Sequence, residues 1–118
     1  MSQASKHMAP WEAVGTRVEF NQSTIADHSV VAAPAAGLKI RILHWSLVLV
    51  AANTLTWLTN TSPTAVAISS AFPFASGGLW ECKQPWQQYE CAAAEALKLR
   101  LGVAAQVQGD IWYEIVKA

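Results

Sequence analysis

The stretch Glu95–Val116, EALKLRLGVAAQVQGDIWYEIV, decides the fold class. Leu97, Leu99, Leu101 and Val103 fall on every second position, with Lys98 and Arg100 between them. Successive side chains of a strand point to opposite faces, so this alternation puts one face in a core and the other in solvent. Gln108-Gly109-Asp110 then reads as a turn, and Ile111–Val116, dense in aromatic and β-branched residues, as a second strand. Two strands joined in this way are not stable alone and need a partner sheet over their apolar face.

The residues before this pair supply strands to cover it. Thr16–Asn21 alternates Val18 and Phe20 with Arg17 and Glu19, and Thr24–Ala33 is β-prone but irregular, two short strands if broken at Asp27-His28. Leu38–Ala52 is the longest candidate. Leu38, Ile40 and Ile42 share one face, and from Leu43 onward the apolar set moves to odd positions. A β-bulge produces such a one-residue phase change, and burial on both faces is the alternative reading. A buried helix competes for this run, against its β-branched and aromatic content. Thr54–Thr59 and Ala65–Ser69 are further short strands, Asn53 marks a turn, and Phe72-Pro73-Phe74 exposes or inserts two aromatics around a proline. Leu79–Lys83 and Gln88–Ala92 read as a hairpin around Pro85. One register of it sets Cys82 opposite Cys91 and Lys83 opposite Glu90. Ala92–Leu97 carries a minor helical signal. The count is about eight short strands without a βαβ rhythm: an all-β, antiparallel, jelly-roll-like β-sandwich over residues 15–118, with residues 1–14 as an amino-terminal arm.

Composition narrows the function. Of 118 residues, 53% are hydrophobic and only 14% charged, against roughly 25% charged in ordinary soluble domains. So little charge leaves apolar surface for a partner, and six tryptophans, a residue favoured at interfaces, point the same way. The eight basic residues are scattered singly, which argues against nucleic acid as a partner. The apolar run Ile42–Ala52 is too short to cross a bilayer, so no membrane is expected. The amino terminus has no apolar signal region, from which cytosolic synthesis is expected. Cys82 and Cys91 read as free thiols in a reducing compartment, with a disulfide as the alternative. The three histidines have no metal-ligand spacing, and His44 reads as a hydrogen-bonded core residue.

No catalytic motif is present, and Glu81 with Glu90 is the nearest thing to a carboxylate pair. The expectation is a protein that is not an enzyme and takes no cofactor or metal. Trp80, Trp86 and Tyr89 around the predicted turn, Phe72 and Phe74, and Trp11 in the arm are the candidate partner-binding residues. Aromatic platforms also stack on sugars, and these rings are read instead as packing a sandwich end or a subunit contact.

Gly77-Gly78, then Trp86…Glu90-Cys91-Ala92-Ala93-Ala94-Glu95-Ala96-Leu97, an alternating strand and Gly109-Asp110-Ile111-Trp112-Tyr113 together resemble small proteins from the head-gene region of tailed bacteriophages. The resemblance covers roughly residues 39–116. It departs from the pattern at Cys91–Ala94, where those proteins commonly have a glycine. It implies a jelly-roll capsid cement, or decoration, protein. Such a protein is made in the bacterial host cytoplasm and sits on the virion capsid surface, where it clamps neighbouring subunits of the major capsid protein. Self-association, a homodimer before a homotrimer, would multiply weak contacts. The alternative is a tail-fibre or receptor-binding tip domain recognising host glycans. A small carbohydrate-active enzyme, the third class, would need a cleft with paired acids.

Overall fold

The computed structural model describes residues 15–61, 64–82 and 89–118. Trp11, Trp86, Lys83 and the arm therefore lie outside the described residues. The described residues form nine strands: β1 (Thr16–Gln22), β2 (Ala26–Val31), β3 (Leu38–Leu49), β4 (Asn53–Thr61), β5 (Thr64–Ala67), β6 (Phe72–Phe74), β7 (Gly78–Cys82), β8 (Ala96–Leu101) and β9 (Val107–Lys117). They make two antiparallel sheets packed as a sandwich, one in the order β1-β9-β3-β7 and the other β2-β8-β4-β5, with β6 beside β5 along the same edge of β4. β1 pairs with β9, β2 with β8, β3 with β7, and β4 with β5 and β6. The chain is thus a long ribbon folded back on itself near β4 and β5, rolled so that successive rungs alternate between the sheets.

The phase change in β3 is a bulge. Ile42 pairs with Tyr113 and His44 with Trp112, leaving Leu43 as the extra residue. Ile40 and Ile42 face the core before it; Trp45, Leu47 and Leu49 face the core after it, all buried. Opposite them across the layers stand Leu55 and Trp57 of β4 and Leu97, Leu99 and Leu101 of β8, fully buried. Removal from water is worth about 1.5–3 kcal/mol for each such side chain, against about 0–1 kcal/mol for a surface ion pair. The interior holds the sandwich together.

Four expectations are corrected. Gln108-Gly109-Asp110 is not a turn: it lies inside β9, and the chain reverses at residues 102–106 instead. Nor do the last two strands pair with each other, since β8 belongs to one sheet and β9 to the other. The connection between them is organised by Asn53, buried at the start of β4. Its Nδ2 donates to the carbonyls of Val103 (3.1 Å) and Ala105 (3.2 Å), and its Oδ1 accepts from the Val103 N–H (3.0 Å). A buried amide satisfied on both sides fixes the loop as a backbone turn would. Phe72-Pro73-Phe74 is itself a short strand, tolerated because β6 is an edge where a missing N–H is not needed.

The fourth correction concerns residues 79–92. The chain does not fold back as a hairpin there. Cys82 pairs with Trp45, and further along the same edge of β3 Glu90 bridges Arg41. The Ile42 N–H donates to the Tyr89 carbonyl (2.8 Å) and the Cys91 N–H to that of Ile40 (2.9 Å). Cys82 and Cys91 thus follow one another beside β3, roughly 15 Å apart at the strand rise, too far for a disulfide. Both are free, Cys91 buried. Burial, more than any neighbour, pushes the Cys91 thiol up to about 11.

Residues 92–95 form a turn, not a helix. The Glu95 N–H donates to the Ala92 carbonyl, the Ala94 N–H reaches the Leu38 carbonyl (2.8 Å), and Ala94 has φ +59°. A Cβ is disfavoured in that left-handed region. Ala94→Gly is expected to stabilise the fold by about 0.5–1 kcal/mol, net of the entropy gained by the unfolded chain, as a higher urea midpoint at unchanged slope.

Candidate partner-binding surface

Four of the six predicted aromatics are brought together. Trp80 of β7 lies 5.1 Å from Phe72 and 5.5 Å from Phe74 of β6, and 4.9 Å from Trp45 of β3, ring centre to ring centre. Tyr89 stacks at 6.2 Å on Trp45, which meets Trp57 at 5.0 Å. The cluster closes the side of the sandwich where the β7 and β6 edges of the two sheets approach. Trp80 points inward because it is in register with Leu47, and Cys82 because it faces Trp45. All four rings are half-buried and packed on the core, so much of their area is spent within the chain.

The signal that sequence reading passed over is aliphatic. Val48 is in register with Leu79, on the outer face of the β3·β7 pair. They are 43% and 59% exposed, and Val50, just past the end of β3, is 61% exposed. The alternation of β7 could have shown this: if Trp80 points in, Leu79 and Glu81 point out.

Further along that outer face charged side chains pair with one another. Glu90 accepts from Lys39 Nζ (2.6 Å) and Arg41 Nε (2.7 Å), and Arg41 Nη1 donates to Glu114 (3.0 Å). These bonds from Lys39 and then Arg41 hold the Glu90 carboxyl below the usual range, against the opposing effect of burial. In the other sheet Arg100 grips Asp27 at 2.7 and 3.2 Å and lowers its carboxyl likewise. Both carboxylates titrate lower folded than unfolded. Their stabilisation is therefore full above the unfolded carboxylate pKa and is lost as pH falls through the lowered folded values. Stability is expected to be level above about pH 5 and to decline below about pH 4. Glu90→Gln should cost about 1 kcal/mol at pH 7 and flatten the acid decline, read by urea unfolding at pH 7 and pH 3.

His44 is buried and stacks on Trp112 at 4.3 Å, on the outer side of the sheet and not in the core. Glu81 takes a hydrogen bond from Ser46 Oγ (3.2 Å). Through their partners on β3, Glu81 and Glu90 are set about 15 Å apart along the strand, beyond the spacing of a glycosidase carboxylate pair. Beside Val48 an open groove of about 340 Å³ crosses β1, β9 and β3, lined by Arg17, Asn21, Gln108 and Asp110 among others. Among the described residues there is no cluster of His, Cys, Asp and Glu that could hold a metal ion, and no helix long and apolar enough to cross a membrane.

Comparison of the chain with protein-family models, with curated proteins and with solved structures finds no match.

Proposed function

We propose that this chain is a structural virion protein, a jelly-roll capsid cement protein that binds the outside of a phage head and clamps neighbouring major capsid subunits. The observation that carries the proposal is the exposed aliphatic row Val48, Leu79 and Val50 on the outer face of a rigid sandwich. Such a row suits docking onto another protein. Two features support the reading. The ribbon pairing, with strands of the first half matched to strands of the second, supports a jelly-roll reading of the sandwich. Ala94 adopts a left-handed conformation, one that glycine takes up readily, in the segment where the resembling head proteins commonly have glycine.

Glycan recognition by a fibre tip is the second reading, and the groove lined by Asn21, Gln108, Arg17 and Asp110 is what favours it. Purified protein mixed with expanded empty capsids separates the two by co-sedimentation. The cement reading expects the protein to pellet with shells, and Leu79→Asp with Val48→Lys to abolish pelleting while the melting curve is retained. No pelleting, together with binding on a glycan array, would replace it with the fibre-tip reading.

A further inference from the structure

Among the described residues the sandwich leaves sheet edges open, and they are not equally protected. Exposed edges invite pairing with another chain, and proteins blunt them with bulges, proline, short strands or charge. β2 breaks register between Ser29 and Val31, β6 has three residues with Pro73 in the middle, β5 has four residues and β7 has five. β1 has no bulge and no proline, and it is not short. It is seven residues long, in unbroken register with β9, free of proline and glycine, and five of its seven residues are exposed. Its defence is two charges, Arg17 and Glu19, of opposite sign and two residues apart.

We propose that β1 is a homodimerisation edge: it pairs antiparallel with β1 of a second copy across a two-fold axis, Val18 opposite Val18. Residues directly opposite in an antiparallel pair share a face, so only registers centred on a residue keep the two outer faces on the same side. Centred on Val18, Arg17 stands opposite Glu19 of the second copy, and Glu19 opposite its Arg17. Shifting the centre one residue either way sets Arg17 against Arg17 or Glu19 against Glu19, which cross-strand energetics disfavour. Glu19 is available for this role. Its side chain is 77% exposed, and its contact with Arg17 of its own strand is 3.5 Å, while Arg17 holds Asp110 at 2.8 Å. The guanidinium has further donors and can bridge Asp110 and the incoming carboxylate. Two four-stranded sheets become one of eight strands, and the edge of β1 that is unpaired among the described residues is closed. A seven-residue strand pair is small for an interface, below about 1,200 Å², so the dimer dissociates on dilution.

This inference does not rest on the capsid reading, and it gives the expected homodimer a location. The test is sedimentation equilibrium of the full chain over a concentration series, without capsids, for wild type, Arg17→Glu, Glu19→Arg and the double charge swap. Near-UV circular dichroism checks each fold. Wild type is expected to dimerise, each single variant to raise the dissociation constant about tenfold, and the double swap to restore it. A monomer at every concentration, a dimer indifferent to the single changes, or a double swap without rescue overturns the proposal. Arg17→Glu also loses the Asp110 contact; if that variant does not fold, Glu19→Arg decides alone, and undiminished dimerisation of it is the overturning result.

Discussion

Gly109→Ala is expected to destabilise the sandwich by about 4 kcal/mol or more, enough to lose much of the folded protein at moderate temperature. Gly109 is the third residue of β9, opposite Phe20 on one side and Leu47 on the other. Its φ of +153° is closed to most L-residues, and a Cβ there would stand 2.1 Å from the Ser46 carbonyl oxygen and 3.0 Å from the Leu47 Cα. Both obstacles are backbone of β3, which cannot yield without opening the central ladder of its sheet. Strain and overlap therefore add. Gly37→Ala separates the two: Gly37 has φ +85° with nothing within 4 Å of the added carbon, so strain alone should cost about 1 kcal/mol. Urea unfolding of both variants checks the difference, and equal costs would refute the role assigned to β3.

Trp57→Ala is expected to cost about 3–5 kcal/mol. Trp57 is fully buried in β4 and touches the aromatic cluster on two sides, 5.0 Å from Trp45 and 5.9 Å from Trp80. Removing the indole leaves a cavity beside the aromatic cluster, and Trp45 and Trp80 lose a neighbour. The near-UV circular dichroism of the packed indoles should collapse with it. Trp57→Phe should cost distinctly less than the volume lost implies, because the Trp57 indole N–H is buried without a hydrogen-bond partner among the described residues. Thermal unfolding of the pair tests this, and a phenylalanine variant as unstable as the alanine one would refute it.

The fold class was legible because alternation is local. Leu97, Leu99 and Leu101 had to share a face whatever they packed against, and the phase change at Leu43 pointed to a bulge or to burial on both faces, between which the pairing of β3 with β9 decides for the bulge. The candidate surface was half legible. Aromatic content marked Phe72, Phe74, Trp80 and Tyr89 as a group, and they do gather, although largely against their own core. The aliphatic row was hidden because Val48 sits in a run where every residue is apolar, and only the bulge decides which of them face out.

Gly109 shows where sequence reading stops. A glycine between glutamine and aspartate is a turn by local chemistry, and the same glycine is a strand residue when another backbone crowds it. The amino-acid sequence by itself determined that this is a β protein, which residues alternate, where β3 changes phase and that charge is scarce, since each of these follows from neighbours along the chain. The tertiary structure alone decided that β8 and β9 part into different sheets, that Cys82 and Cys91 follow one edge, and that β1 is the long edge left open among the described residues. Pairing between strands far apart in sequence depends on which backbones meet, and no local pattern carries that information.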